Sequence, residues 1–200
     1  MEVKITEPPL TTQFLTTLTF LILISQLHQI SCSTPQDNNS TSFIIKSCKT
    51  TTYPSLCIKT LIPYASAVKA NPLKLCTAAL KAAIQGTKNC SAAVSKLSKQ
   101  KGISQREAGT IKECIGDLKD AVSELKQTAT AMSHLRGDDR ELQWANAKTY
   151  GSAAITDADT CVDDVLEEKV NPAVKKMIRS CVAGVEKLMS NALALINHLY

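Results

Sequence analysis

Apolar positions recur at alternating steps of four and three along most of the chain. After Asn71-Pro72 the series is Cys76, Leu80, Ala83, Thr87, Cys90, Val94 and Leu97. A second series runs Ile111, Ile115, Leu118, Val122, Leu125, Ala129 and Met132. A third carries Trp144, Ala147, Gly151, Ala154, Ala158, Cys161 and Val165, and a fourth Val174, Ile178, Cys181, Val185, Leu188, Ala192, Leu195 and Leu199. Steps averaging about 3.5 residues mark amphipathic helices that pack nearly parallel with a slight left-handed supercoil. Strand-like alternation is nearly absent.

The polar punctuation fits four helices of about 28 residues, each about 42 Å long. Asn71-Pro72 and Asn171-Pro172 read as an N-cap followed by a first helical residue. Ser104-Gln-Arg-Glu107 reads as a capping box. Gly102 is expected to close the first of these helices as a C′ residue, and Gly137 to stop the second. Asp138 or Asp139 is expected to cap the third. Short connections make neighbours antiparallel, so the expected fold is all-α, an up-and-down four-helix bundle over 71–200.

Ahead of the bundle, residues 43–70 contain Tyr53-Pro54 between Cys48 and Cys57. Proline favours an extended residue before it and a helix start after it. The segment therefore reads as a short N-terminal helical hairpin folded at 49–53 and clamped by Cys48–Cys57. A piece this small does not hold such a shape without a staple.

Residues 1–32 change the compartment. Phe14 to Ile24 is an apolar run of signal-peptide length, too short to span a bilayer, with small residues following at Ser31 and Ser33. Export to an oxidising compartment, with no membrane attachment after cleavage, agrees with the cysteine content. Residues 33–42 read as a flexible leader and 43–200 as a single domain. The export signal, residues 1–32, carries Lys4, Glu2 and Glu7, so its removal raises the formal net charge from +5 to +6. That moderate charge suits attraction to an acidic polymer. It lacks the basic run with interleaved aromatics that nucleic acid requires. Asn38, Asn39 and Asn89 head glycosylation sequons.

Height along the bundle tests the cysteines. Cys114 and Cys161 fall level within about one turn on touching faces of antiparallel helices, where a bridge is geometrically reasonable. Cys76 and Cys90 are two heptads apart on one helix, about 21 Å, and cannot pair. Cys90 and Cys181 also come out level, so either they form a third bridge or they are small buried thiols, as Cys76 would be.

These residues together resemble the plant invertase and pectin methylesterase inhibitor family. The matching features are the Cys48–Cys57 hairpin with Tyr53-Pro54, the Glu113-Cys114 helix with Asp120 to Leu125, the block Ser152 to Asp163, and Ser190 to Ile196. The resemblance covers residues 42–200. It implies an extracellular helical inhibitor, monomeric when free, that blocks a cell-wall carbohydrate enzyme in a one-to-one non-covalent complex. It also implies bridges Cys48–Cys57 and Cys114–Cys161. Invertase inhibitors of this family carry a Pro-Lys-Phe turn between the second and third bundle helices. Here that turn reads Ser133-His-Leu-Arg-Gly-Asp-Asp-Arg-Glu141. The resemblance therefore points to pectin methylesterase as the partner, with invertase as the alternative. Its target contacts map onto Asp120, Thr160 and Asp163.

The residue types give this mapping a physical sense. Asp157, Asp159, Asp163, Asp164, Glu167 and Glu168 crowd one helix, and Thr160 and Asp163 share a face. A Cys114–Cys161 bridge would set Asp157, Thr160 and Asp163 beside Asp117, Asp120 and Glu124. Such a patch can mimic the carboxylates of polygalacturonate.

No catalytic residue, cofactor or metal is expected. Asp157 to Glu168 imitates a calcium loop but has Val at its sixth position, where the loop needs Gly. No Glu-x-x-His pair, His-Glu-x-x-His, Gly-x-Ser-x-Gly or P-loop occurs. His134 reads as a favourable charge at a helix C-terminus, and Trp144 as core packing. Two other classes stay open: a pro-region-like segment acting in trans, since nothing follows Tyr200, and a wall protein that kept the fold without the target.

Overall fold

The long helices begin where a polar group takes up first-turn amides. The computed structural model describes residues 35–200. Asn71 accepts from the amide of Lys74 at 3.0 Å and opens α4 (Pro72–Leu97). Ser104 and Glu107 form a complete capping box on α5 (Gln105–Ser133). Asn171 accepts from the amide of Ala173 at 2.9 Å and opens α7 (Pro172–Asn197). α6 (Arg140–Glu167) differs. Its N-cap, Asp139, makes no cap bond to the backbone, and its carboxylate takes the side chain of Gln143 at 2.6 Å instead.

Before these lie α1 (Pro35–Cys48), α2 (Pro54–Leu61), a 3₁₀ turn (Ile62–Tyr64) and the one-turn α3 (Ala65–Val68). Two of the boundaries expected from sequence are corrected. The leader expected over 33–42 is helical from Pro35, because Ser40, Ile44 and Cys48 bury one face of α1 at steps of four. α4 ends at Leu97 rather than at Gly102, whose φ of +90° serves the connection to α5. The export signal lies outside the described residues. Among the described residues no strand occurs, and no helix is long and apolar enough to cross a membrane.

α4 packs on α5, α5 on α6, α6 on α7, and α7 back on α4, which closes an up-and-down bundle. Its centre holds Leu80, Ile111, Leu118, Leu125, Ile178 and Met189, each almost fully buried. The buried stripe of α6 is small until its last turn: Ala147, Gly151, Ala154, Ala158 and Cys161, then Val165. Small residues let α6 approach α5 closely, and the Cys114 and Cys161 Cα atoms are 4.1 Å apart at their bridge. The α4–α7 seam is also tight, since a Cβ on Gly86 would meet Leu188 Cδ1 at 2.8 Å. Buried Thr87 and Thr128 donate their hydroxyls to carbonyls one turn back on their own helix, so neither costs an unpaired group.

Among the described residues the sulfur pairs are Cys48–Cys57, Cys90–Cys181 and Cys114–Cys161. Cys76 is the free cysteine among the described residues. Burial pushes its thiol up to about 12, so it stays protonated and packs as a small apolar group.

Besides its apolar packing, the hairpin is hydrogen-bonded to the bundle through one side chain. Asn191, only 3% exposed on α7, accepts from the amide of Tyr53 at 2.9 Å and donates to the Tyr53 carbonyl at 3.0 Å. Lys187 lies over the Tyr53 ring. Asn191→Ala removes both bonds and strands the Tyr53 amide, while the Tyr53 carbonyl still accepts from the Cys57 amide at 3.0 Å; the cost is about 2 kcal/mol. The expected result is faster proteolysis within residues 49–53 together with a lower melting temperature. Unchanged cleavage would mean that the apolar contacts of α1 and α2 hold the hairpin unaided.

At the far end, Glu107 serves two helices. One carboxylate oxygen takes the amide of Ser104, and the other takes the amide of Asn171 at 2.8 Å. Those bonds hold its pKa below the usual value of 4.5. Their contribution is present above that value and is lost as pH falls.

Candidate functional site

The outward faces of α5, α6 and α7 carry most of the carboxylates. On α5, Glu113, Asp117, Asp120 and Glu124 recur at steps of four, three and four, which makes one stripe along the α6 side. On α6, Asp157 and Asp164 are seven apart and face that stripe. Because the Cys114–Cys161 bridge fixes the two helices at this height, the acids cannot slide apart.

Crowding shows in their protonation. Asp117 is pushed above its usual 3.8, first by burial and then by the charges of Asp164, Asp157, Asp120 and Glu113. Its Oδ2 is buried and has no hydrogen-bond partner. Asp157 is raised by burial, then by Asp120 and Glu124. Both groups keep a proton to higher pH in the folded chain than in the unfolded one. Their contribution to stability is therefore complete at low pH and is lost as pH rises through the raised values.

Thr160 stands at the crest of α6, exposed, its hydroxyl donated to the Thr156 carbonyl at 3.0 Å. Asp163 is exposed too, but it turns away from α5 toward α7. There Glu186 is raised by burial, by the charge of Asp159 and a hydrogen bond with it, and by Asp163, with Lys187 opposing. The structure thus gathers Asp117, Asp120, Glu124 and Asp157 into one group and sets Asp163 in a second, with Thr160 on the ridge between. Sequence reasoning passed over Glu113 and Glu186. Glu113 is legible in its spacing from Asp117 and Asp120. Glu186 has no such signal, since its place depends on how α7 is rotated.

The other sequence-derived positions take varied settings. Asn38 and Asn39 are exposed on α1, and Asn89 is exposed in mid-α4, where its side-chain oxygen accepts from Gln85 at 2.9 Å. Residues 157–167 are continuous helix rather than a loop. His134 is the C-cap of α5, its Nδ1 2.8 Å from the Thr130 carbonyl. Trp144 packs against the core, donates to the Ile196 carbonyl at 2.9 Å and meets Tyr200 edge-on.

The ridge presents hydroxyl and carboxyl groups at heights fixed by the Cys114–Cys161 bridge.

Known proteins place the chain. Residues 42–195 match the family model for plant invertase/pectin methylesterase inhibitor. The chain is 37% identical over 163 residues to pectinesterase inhibitor 4 of Arabidopsis thaliana, covering 80% of this chain and 82% of that protein. It is also 37% identical over 188 residues to pectinesterase inhibitor 9 of the same plant, covering 90% and 92%. Among solved structures, a mutant form of a pectin methylesterase inhibitor from Arabidopsis shares the fold. Its TM-score is 0.58 at 22% identity, covering 76% of this chain and 94% of that one.

Proposed function

This chain belongs to the plant invertase/pectin methylesterase inhibitor family, and we propose that it is a secreted inhibitor of pectin methylesterase acting in the cell wall. It forms a one-to-one, non-covalent complex in which the α5–α6–α7 ridge lies across the enzyme's substrate groove. The observation that carries this reading is the ridge itself: Thr160 on a bridge-anchored crest, flanked by carboxyl groups on both sides. Pectin after de-esterification is a chain of carboxylates. Asp117, Asp120, Glu124, Asp157 and Asp163 present the same groups at fixed heights, and Thr160 supplies a hydroxyl as a sugar would.

The raised protons of Asp117, Asp157 and Glu186 give the contact a pH sense. A protonated carboxyl donates a hydrogen bond to an acidic groove wall, whereas an ionised one repels it. Affinity for the enzyme is expected to fall from about pH 5 to about pH 7.5 as the acids on both surfaces become charged. Calorimetric titration across that range would show it, and a flat profile would remove shared protons from the mechanism.

The test of the function itself is a titration of the oxidised protein against a plant pectin methylesterase and a cell-wall invertase near about pH 5.5. Stoichiometric loss of methylesterase activity alone is the expected result. Loss of invertase activity alone would transfer the assignment to the other half of the family, despite the absence of Pro-Lys-Phe from residues 133–141. No effect on either enzyme would leave the fold without the function.

A further inference from the structure

Between Asp37 and Glu107 every acidic or basic side chain is Lys or Arg. α4 accordingly carries Lys74, Lys81, Lys88 and Lys96 with no carboxylate at all. Lys74, Lys81 and Lys88 recur every seven residues, as do Lys112, Lys119 and Lys126 on α5. Two turns separate successive members, so each set is a ladder with rungs about 10.5 Å apart on one side of its helix.

The ladders meet in a groove of about 460 Å³ between α4 and α5, lined by Lys88, Lys119 and Lys126. Its floor is aliphatic, with Ile115, Leu118 and Val122, and Ser91 and Ser95 also line it. All three lysines are exposed. None has an ion-pair partner, since the single ion pair among the described residues is Arg106–Glu168. α5 therefore separates its charges, with acids on the flank toward α6 and lysines on the flank toward α4.

We propose that this groove is a second binding surface, distinct from the ridge, which holds a stretch of linear polyuronate. Unpaired ammonium groups along a trough meet the regular carboxylates of such a polymer. Serine hydroxyls suit sugar hydroxyls, and an aliphatic floor suits the C–H face of a pyranose. No aromatic side chain lines the groove, so there is no platform on which nucleic-acid bases would stack. The cations flank a recess rather than an apolar protrusion, which disfavours a lipid surface.

The choice of a uronate among polyanions rests on the proposed target, because a pectin methylesterase makes carboxylates on that polymer. The groove would then retain the inhibitor where de-esterification has already gone furthest. Product would recruit the brake on its own formation.

The experiment is affinity electrophoresis or co-sedimentation of the full, oxidised protein with polygalacturonate of low ester content at about 50 mM salt, then at about 200 mM. Fully methyl-esterified polymer, polyglutamate and phosphatidylserine vesicles are the comparators. Retention on polygalacturonate should exceed that on all three and drop steeply with salt. Lys88→Glu/Lys119→Glu/Lys126→Glu should weaken it by about tenfold or more, and the matching triple Gln variant by less, as each removed cation subtracts a contact. Both variants should still inhibit methylesterase with wild-type stoichiometry at the higher salt.

Undiminished retention by both variants would overturn the proposal. So would equal retention on the esterified polymer, or preference for polyglutamate or vesicles. A wild-type protein that inhibits but is not retained defeats the groove alone. One that is retained but does not inhibit defeats the target assignment alone.

Discussion

Thr160→Trp is expected to weaken inhibition of pectin methylesterase about a hundredfold, close to 3 kcal/mol, while leaving the melting temperature nearly unchanged. The two halves of this expectation have separate causes. Thr160 is exposed at the crest of α6, and its hydroxyl bonds only to its own helix, so the fold has nothing to lose there. Replacing a β-branched residue at an exposed helical position is near neutral. In a close-packed interface, by contrast, a bulky ring on the ridge must push the partner away, and the neighbouring hydrogen bonds go with it. Leu142→Trp is the control, since Leu142 is 59% exposed on the same helix and about 27 Å from Thr160. Inhibition constants for both variants decide the matter. Equal potency for Thr160→Trp and wild type would mean that another surface meets the enzyme.

Replacing Cys114 and Cys161 together by alanine should cost the fold about 4 kcal/mol in the chain-entropy view, because the bridge closes a separation of 47 residues. For a domain of this size that corresponds to a fall of about 8–16 °C in melting temperature. A second effect acts in the same direction. Asp117 on α5 faces Asp157 and Asp164 on α6, and these like charges push the helices apart once the covalent tie is gone. The loss should therefore be larger at neutral pH than near pH 4, where the raised carboxyls regain their protons. Urea denaturation of the oxidised wild type and the double variant at both pH values would measure it. A loss under about 1 kcal/mol would show that the Ala and Gly seam of α6 fixes the pair without help from the bridge.

The fold was largely legible because heptad spacing and caps agree with each other. All seven positions of the α4 series are buried. The α7 series was less accurate: Val182, Met189 and Ile196 are buried, while Cys181 and Leu188 are only half-buried. That helix faces the hairpin as well as the bundle, so its apolar stripe is broader than one seam. The leader misled for a different reason. Residues 34–41 are weak helix formers, and packing of Ile44 and Cys48 against the rest of the domain overrides propensity. Gly102 does adopt a left-handed conformation, but four residues later than the C-cap of α4 at Ser98.

For the ridge, the cysteines did the placing. A bridge between neighbouring helices converts sequence position into height, so Asp117, Asp120, Glu124 and Asp157 could be grouped before any coordinates. No such marker ties α6 to α7. The separation of Asp163 from that group, and its company with Glu186, was therefore out of reach.

The Asn191 clamp bears on the order in which the protein can be made. Tyr53 leaves the ribosome well before Asn191, which lies 138 residues further along the chain. For most of translation the hairpin can pack on α4 but lacks its clamp. Cys48 and Cys57, close in sequence, can meet during that wait, while Cys90 and Cys114 must pass over each other to find partners made much later. A chain halted before residue 191 should hold a closed, unclamped hairpin on an unfinished bundle. The hairpin is thus secured by a helix synthesised long after it.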